Sequence, residues 1–571
     1  MRLGGACPHP AEGRKGIVSQ YTTRTNSCLV YRLIMPSHYY KELYKLGLYF
    51  EIMKRINDLE YLKLNKFSAF MYDIWMFICS IPGWIWGLIC QLGSYIKKAA
   101  LWVKDEAVDI FKTFKDGNWA VKLSFFIFGV GNLHFGQKLR GILFLLFQLI
   151  FIGYMVVPSG GIYWLGKVQW FQTGKTVGTV QSGLQYNPIY DTYDRVPGDD
   201  SVKVLLYGLL TVIFIIAYIA TWRMQFKQSR ICMDIIASGK KIKSGKDDLE
   251  SLLDDQFHKT LLAPSLIGIL VFTVLPTIYM TLIAFTSYDG AHDGYANLFS
   301  WVGLEHFNEI FDTSEGGLGL AFGEILSWTL MWAFFATFSN YFLGMFVAMA
   351  INKKGIKLKK FWRTVLVMTI AIPQFVSLLY VSKLFDASGI IGSLLKNWNL
   401  LPQSLIDNHI YSLWGDPTTA KILLIVINIW IGIPYIMLMC TGILMNIPED
   451  LYESARIDGA SSFQQWTKIT LPYMLFVTGP YLLTSFTGNL NNFNVIYLLT
   501  GGNPIKGIAG GASVGHTDLL ITWLFKMTLG SSSSKYYYAS IIGILIFIVV
   551  SFLSLIVYNV IPSTKNEEDF G

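Results

Sequence analysis

Charge is scarce in this chain. Asp, Glu, Lys and Arg make up 15% of its 571 residues, against 53% that are hydrophobic, and mean hydropathy is +0.43. That balance lies far from a soluble globular average and is that of a polytopic membrane protein. Cysteine is sparse too: Cys7, Cys28, Cys79, Cys90, Cys232 and Cys440 include no CxxC pair, so neither a metal site nor a disulfide framework is expected. HExxH, GxSxG and zinc-ligand clusters are missing. Gly174-Lys175-Thr176 matches the end of a phosphate-binding P-loop, but Gln169 stands where the first glycine is required, and the segment reads as a plain loop. No catalytic residue and no bound cofactor is therefore expected on this chain.

What is present is a series of apolar runs. Eight have about the ~20 residues a bilayer requires: 141–158, 204–222, 261–285, 326–351, 364–385, 422–446, 474–499 and 537–560. Lys and Arg gather in some of the loops between them. Residues 223–259 carry Arg223, Lys227, Arg230, Lys240, Lys241, Lys243, Lys246 and Lys259; residues 352–363 carry Lys353, Lys354, Lys357, Lys359, Lys360 and Arg363. The loop 286–325 has neither residue type. By the positive-inside rule the first two are expected in the cytoplasm and the third outside, which places 448–472 and the C-terminus in the cytoplasm. The net charge of +8 thus reads as membrane orientation, not as nucleic-acid binding.

The N-terminal region differs. Residues 1–52 hold no apolar core of a secretory signal, and the expected natural start is Met53 or another internal Met. Residues 70–96 are apolar and Trp-rich but broken by Asp73 and Pro82-Gly83, and are expected to lie in the cytoplasmic interface. The run 123–135 is too short to cross and fits a re-entrant segment.

Between two apolar segments lies a polar island, Pro448–Pro472. Pro448 and the acids Glu449, Asp450 and Glu453 suit the positive end of a starting helix. Asp458-Gly459 is a turn signal, and a second helical piece, Ser461 to Thr470, is expected to stop or kink at Leu471-Pro472. Glu453-Ser454-Ala455, Gly459, Ile469, Leu471 and Pro472 resemble the cytoplasmic coupling loop of ABC-importer permeases. That family's pattern is Glu-Ala-Ala, three residues, Gly, nine residues, then Ile-x-Leu-Pro, and Ser454 for Ala is the one departure.

Buried polar groups inside a membrane tend to face a cavity or a partner. In the run 474–499, Ser485, Asn489 and Asn492 follow i, i+4, i+7 and share one face of a helix, while Asn491 and Asn494 point away. Amides suit sugar hydroxyls, and they also glue helices together. Trp430, mid-membrane beside Gly432 and Pro434, offers either a stacking platform or a packing residue. Pro373-Gln374 reads as a kink with a buried amide.

From about 261 to 560 the chain resembles the larger permease subunit of maltose-type sugar importers, through Ala371–Phe375, Asn428–Pro434, Ser485–Phe493 and His516–Leu520. The resemblance implies an all-α permease core of the type I ABC-importer kind over 259–560, with 448–472 as its coupling loop. The rest divides into an interfacial or cytoplasmic region 1–122, two accessory transmembrane helices with a cytoplasmic linker over 123–258, and a cytoplasmic tail 561–571. It implies that Trp430, Gly432, Ser485, Asn489 and Asn492 line a sugar site. Gln374 and Gly488 fall on further lining positions with altered residue types, and Ile370 replaces a tyrosine. Glu453, Ser454, Ala455, Asp458, Gly459, Ile469, Leu471 and Pro472 would couple to an ATPase. Implied partners are a second permease subunit, two ATPase subunits that use ATP, an extracytoplasmic sugar-binding protein and membrane lipid. The implied cargo is an oligosaccharide, with maltose or maltodextrin first and galactose-containing sugars second. The alternative from another class, a secondary transporter, would need intramembrane ionisable groups; the later spans have almost none, with Lys383 near an end.

Overall fold

The computed structural model describes residues 93–560 apart from 96, 197, 243–246, 248–249, 252, 295–296, 315–316, 354, 399, 401–404, 407–411 and 530–533. The expectations for 1–52, 70–92 and the tail 561–571 fall outside these residues. The chain divides into two compact units at Asp116 and Gly117. The described part of the first is helical over 97–116.

The second unit opens with two short helices, α1 (Trp119–Ser124) and α2 (Val130–His134), followed by α3 (Lys138–Val156) and α4 (Gly161–Val168). A hairpin of β1 (Gly183–Asn187) and β2 (Thr192–Val196) then leads to α5 (Ser201–Ala237). Asp200 starts α5 by accepting hydrogen bonds from the Val202 and Lys203 amides at 3.1 and 3.3 Å, satisfying donors a helix start leaves unpaired. The permease part follows: α6 (Phe257–Ile283), α7 (Glu305–Ile310), α8 (Leu318–Asn352), α9 (Lys359–Ala371), α10 (Gln374–Leu384), α11 (Ile390–Asn397) and α12 (Pro417–Leu444). Then come α13 (Glu449–Ile457), α14 (Ser462–Leu490), α15 (Phe493–Leu499), the hairpin β3 (Ile505–Ala509) with β4 (Ala512–Gly515), α16 (Leu520–Thr528) and α17 (Tyr536–Val560).

Among the described residues, seven helices are long and apolar enough to cross a membrane: α3, α5, α6, α8, α12, α14 and α17, the last over Tyr536–Leu555. The pair α9 and α10 passes the same test together but bends by 93°, so each of the eight expected spans has its counterpart. The bend falls at Ile372-Pro373, where the residue before a proline is driven out of helical geometry; Ile372 is extended, with ψ 127°.

Proline acts differently at two other places. Leu270–Val274 and Trp466–Thr470 are single π-helical turns, and each stands just before a proline, Pro276 and Pro472. In each the next amide reaches back five residues, Leu275 to Leu270 and Leu471 to Trp466. Widening the turn accommodates the missing donor and the ring. The expected stop at Leu471-Pro472 does not occur: the helix from Ser462 continues through Pro472 to Leu490.

Two small-residue contacts set how closely α8 and α12 approach. A Cβ on Gly344 would stand 2.5 Å from the Ile436 Cβ, and one on Gly432 would stand 2.5 Å from Asn340 Nδ2. Small residues that let backbones near one another are the usual basis of helix packing in membranes. Tyr341 and Thr478 hydroxyls, both buried and 2.8 Å apart, tie α8 to α14. The accessory helices join the permease part through Trp301, whose indole N–H donates to the Val168 carbonyl at 2.9 Å. The Gly174 amide donates to the Trp301 carbonyl at 2.8 Å, and Thr176 bridges to Ser300, so Gly174-Lys175-Thr176 packs on a neighbouring strand-like segment.

Candidate functional site

The polar residues expected to line a path gather where α14 ends. The i, i+4, i+7 face expected for Ser485, Asn489 and Asn492 does not persist, because α14 stops at Leu490 and α15 begins at Phe493. Asn492 caps the new helix: its side chain accepts from the Val495 amide at 3.3 Å. It nevertheless stays with its expected partner, since Asn492 Nδ2 donates to Asn489 Oδ1 at 3.2 Å. Asn489 Nδ2 in turn donates to Thr337 Oγ1 of α8 at 3.0 Å. Asn491 and Asn494 are exposed.

One turn from Thr337 on α8 is Asn340, an amide that sequence reasoning passed over. Its Nδ2 donates to the Ala336 carbonyl at 2.9 Å and to the Asn428 carbonyl of α12 at 3.4 Å. Gly432 leaves the room this side chain occupies. Asn340 Oδ1 and Asn428 Nδ2 are buried without a partner, an arrangement of high cost. Trp430, two residues before Gly432, is 49% exposed.

A second pair of aromatics also escaped the sequence reading. Tyr435 of α12 and Tyr481 of α14 have ring centroids 6.0 Å apart, and Ser485 stands one turn on from Tyr481 along α14. The signal was available, because Tyr481, Ser485 and Asn489 are spaced i, i+4, i+8 on the unbroken part of α14. Gln374, expected as a buried amide, is exposed at the start of α10; the 93° bend swings it out of the helix packing. Gly488 is exposed as well, with open space where a Cβ would stand.

The end of the molecule nearest α15 is closed by a polar knot. Asp518 has a fully buried side chain that accepts from Lys526 Nζ at 2.7 Å, the Gly515 amide at 2.7 Å and Thr522 Oγ1 at 2.9 Å. Burial pushes its carboxyl above the ordinary range, against the opposing pull of Lys526. Trp328 Nε1 donates to the Thr517 carbonyl at 3.2 Å, and Ser382 Oγ donates to the Leu499 carbonyl at 2.6 Å. The Ser382 bond ties α15 to α10, and the Trp328 bond ties the segment before α16 to α8.

At the opposite end lies the polar island. Pro448 precedes α13, with Glu449 and Asp450 in its first turn as expected. Gly459 has φ +78°, a left-handed value that suits glycine at a helix C-terminus. The Ala460 amide reaches the Ala455 carbonyl at 2.8 Å, and Ser461 and Gln464 form a capping box that starts α14. Tyr452 and Thr470 hydroxyls, 2.9 Å apart, clamp the two arms. Glu453, Ser454, Asp458 and Gly459 are exposed; Ala455, Ile469 and Leu471 are half-buried in the elbow, and Pro472 is exposed. On the crest stand Ile457, 87% exposed, and Phe463, 70% exposed. Neither was singled out in the sequence.

Helices that cross repeatedly, one of them interrupted at a cluster of amides, with a rigid elbow at one end, define a multi-pass membrane permease. Residues 340–564 match the family described as binding-protein-dependent transport system inner membrane component. The chain is 31% identical over 446 residues to the maltodextrin transport system permease protein MalC of Streptococcus pneumoniae, covering 77% of this chain and 95% of that protein. It is 33% identical over 385 residues to the galactooligosaccharides transport system permease protein GanP of Bacillus subtilis, covering 66% and 88%. It is 34% identical over 381 residues to the maltodextrin transport system permease protein MdxF of the same organism, covering 66% and 86%. The chain belongs to this family of binding-protein-dependent transport permeases.

Proposed function

We propose that this chain is the membrane subunit of an ATP-driven importer that passes an oligosaccharide inward, with Trp430, Gly432, Ser485, Asn489 and Asn492 on the sugar's path. The observation that carries this is the join at Asn489–Asn492, where a broken helix brings two amides together against Thr337 of α8. Neutral amides and an aromatic face suit a neutral, hydroxyl-rich cargo: the amides exchange hydrogen bonds with hydroxyls, and the ring covers the apolar face of a sugar. Tyr435 and Tyr481 extend the same surface. Gln374 and Gly488, both exposed, belong at its margin.

Energy would come from elsewhere, since the chain carries no P-loop. Two ATPase subunits are the expected source, with a second permease and an extracytoplasmic sugar-binding protein completing the assembly. The 448–472 elbow, on the cytoplasmic side by loop charge, would seat in a groove of one ATPase with Ile457 and Phe463 as its apolar anchors and Glu453 toward a basic group. Because α14 runs unbroken from the elbow to the Asn489 cluster, about 40 Å at the rise of a helix, a push on the elbow reaches the sugar path as a rigid-body movement. That is alternating access driven from one end.

Maltodextrin is the first choice of cargo, as two of the three relatives are maltodextrin permeases; the galactooligosaccharide relative supports a second reading. Competition settles it. In proteoliposomes with the full assembly, uptake of labelled maltotriose should be suppressed by unlabelled maltodextrins and left unchanged by galactooligosaccharides; the reverse result selects the second reading.

A further inference from the structure

The turn between α1 and α2 satisfies its backbone in a way that water-exposed turns do not. The amides of Phe125, Phe126 and Ile127 still bond back to Lys122 and Leu123, but the helix ends there and Gly129 has φ +80°. Three successive carbonyls are met by side chains of two spanning helices. The Ser124 carbonyl accepts from Gln225 Nε2, the Phe125 carbonyl from Trp222 Nε1 at 3.0 Å, and the Phe126 carbonyl from Gln148 Nε2 at 2.8 Å. Amides are treated likewise: Phe128 N–H donates to Gln148 Oε1 at 2.8 Å, Gly129 N–H to Gln225 Oε1 at 3.3 Å, and Gly131 N–H to Ser124 Oγ at 2.8 Å. Gln148 and Gln225 thus each serve one carbonyl and one amide of the same turn. In water such groups need no protein partner. In hydrocarbon each unmet group costs several kcal/mol, so irregular backbone survives at membrane depth only where the protein satisfies it.

The side chains divide as this requires. Phe128 is buried and stacks on Tyr218 with centroids 4.8 Å apart, and Phe125 stacks on Phe226 at 4.6 Å. On the outer side Phe126 is 70% exposed, and Leu123, Ile127 and Trp119 are exposed beside it. Depth follows from helix rise. Gln148 lies ten residues after Lys138 on α3, roughly 15 Å at 1.5 Å per residue. Tyr218 lies five residues before Arg223 on α5, roughly 8 Å by the same rule. The turn thus slopes inward. Ser124, Phe125 and Gly129 meet Trp222 and Gln225, level with Arg223. Phe126 and Phe128 meet Gln148 and Tyr218, about 8 to 15 Å inside the ring of Lys138, Arg140 and Arg223 and within the ~15 Å half-thickness of a hydrocarbon core.

We propose that residues 119–135 enter the leaflet bounded by Lys138, Arg140 and Arg223 as a re-entrant hairpin, with Leu123, Phe126 and Ile127 solvated by lipid acyl chains. The inference is independent of the cargo and of the ATPase.

Collision accessibility of a spin label tests it. A single cysteine is placed at Phe126, with Lys240 as a water-exposed control, in an otherwise cysteine-free chain within the assembled transporter in proteoliposomes. Molecular oxygen should contact the label at 126 several-fold more than a water-soluble nickel chelate, with the order reversed at 240. Nickel contact exceeding oxygen at 126 would overturn the proposal by placing the tip in water. Low contact with both would overturn it by placing the tip against another protein. This arm leaves every polar partner of the turn intact. Adding Gln148→Leu removes the partners of the Phe126 carbonyl and Phe128 amide, and the oxygen-to-nickel ratio at 126 should fall several-fold toward that of the control. An unchanged ratio would refute the claim that these bonds hold the tip at depth.

Discussion

The contact between Gly432 and Asn340 is where the packing of this permease is most exposed to a single methyl group. In Gly432→Ala the new Cβ would stand 2.5 Å from Asn340 Nδ2 and 2.7 Å from its Cγ and Oδ1, well inside van der Waals contact. The amide cannot simply rotate, because it bonds the Ala336 and Asn428 carbonyls. Either α8 and α12 separate or those bonds break. Overpacking of this kind costs about 1–3 kcal/mol, and loss of a buried hydrogen bond adds about 1 kcal/mol. The variant should therefore lose several degrees of apparent Tm by fluorescence-detected size exclusion of the detergent-solubilised complex. Asn340→Ala should be destabilised by a smaller amount, and the double variant should be more stable than Gly432→Ala alone, a coupling of about 1–3 kcal/mol between touching residues. If Gly432→Ala melts with the wild type, or if the two substitutions simply add, the reasoning about this contact is wrong.

Other perturbations reach other parts of the account. Trp430→Ala and Asn489→Ala should each lower kcat/KM for uptake roughly 10- to 100-fold, as expected for a lost stacking or hydrogen-bonding partner worth about 1.5–3 kcal/mol, while assembly with the ATPases is retained; wild-type uptake removes that residue from the path. Gly459→Val places a β-branched residue at φ +78°, a strain of about 1–2 kcal/mol, and Ile457→Asp removes the most exposed apolar anchor of the elbow. Both should abolish transport-stimulated ATP hydrolysis while leaving membrane insertion unchanged, and retained stimulation counts against the docking role. Burial would raise the Asp199 carboxyl, but the Lys167 ammonium and the Thr179 and Val180 amides outweigh it and hold the group below its ordinary 3.8. Burial would likewise lower Lys167, yet Asp199 and Tyr163 keep it above 10.5. The pair's contribution is thus complete between those ordinary values, and it is lost as pH falls through the depressed Asp199 value or rises through the raised Lys167 value. Amide exchange protection at Thr179 and Val180, corrected for intrinsic rate, should hold from pH 7 to 4.5 and be reduced throughout in Asp199→Asn; a wild-type loss within that window contradicts the assignment.

Much of this architecture can be read from the chain because hydropathy and length are local properties. A run near twenty apolar residues crosses whatever it packs against, and each of the eight expected spans has a counterpart. The Asp458-Gly459 turn was legible for the same reason, since its glycine answers a local backbone requirement. Proline was read less well. Pro373 bends its span by 93° and exposes Gln374, whereas Pro472 is absorbed by a π turn, and nothing in the neighbouring residues separates the two outcomes. The break at Asn491 was hidden because an i, i+4, i+7 pattern persists across it, while the side chain of Asn492 had a better use as a cap. Asn340 was passed over since its role depends on a glycine far away in sequence. Ile457 and Phe463 were overlooked because the island around them was read for its acids, its turn and a spacing pattern to which neither residue belongs.

ATP-dependent uptake of a labelled maltooligosaccharide into proteoliposomes holding this chain with its second permease, ATPase subunits and binding protein is the most direct test. Uptake should require ATP together with the ATPase subunits, and Glu453→Lys should abolish it while assembly persists. Equal uptake by this chain without any ATPase, or undiminished uptake in Glu453→Lys, would contradict the account.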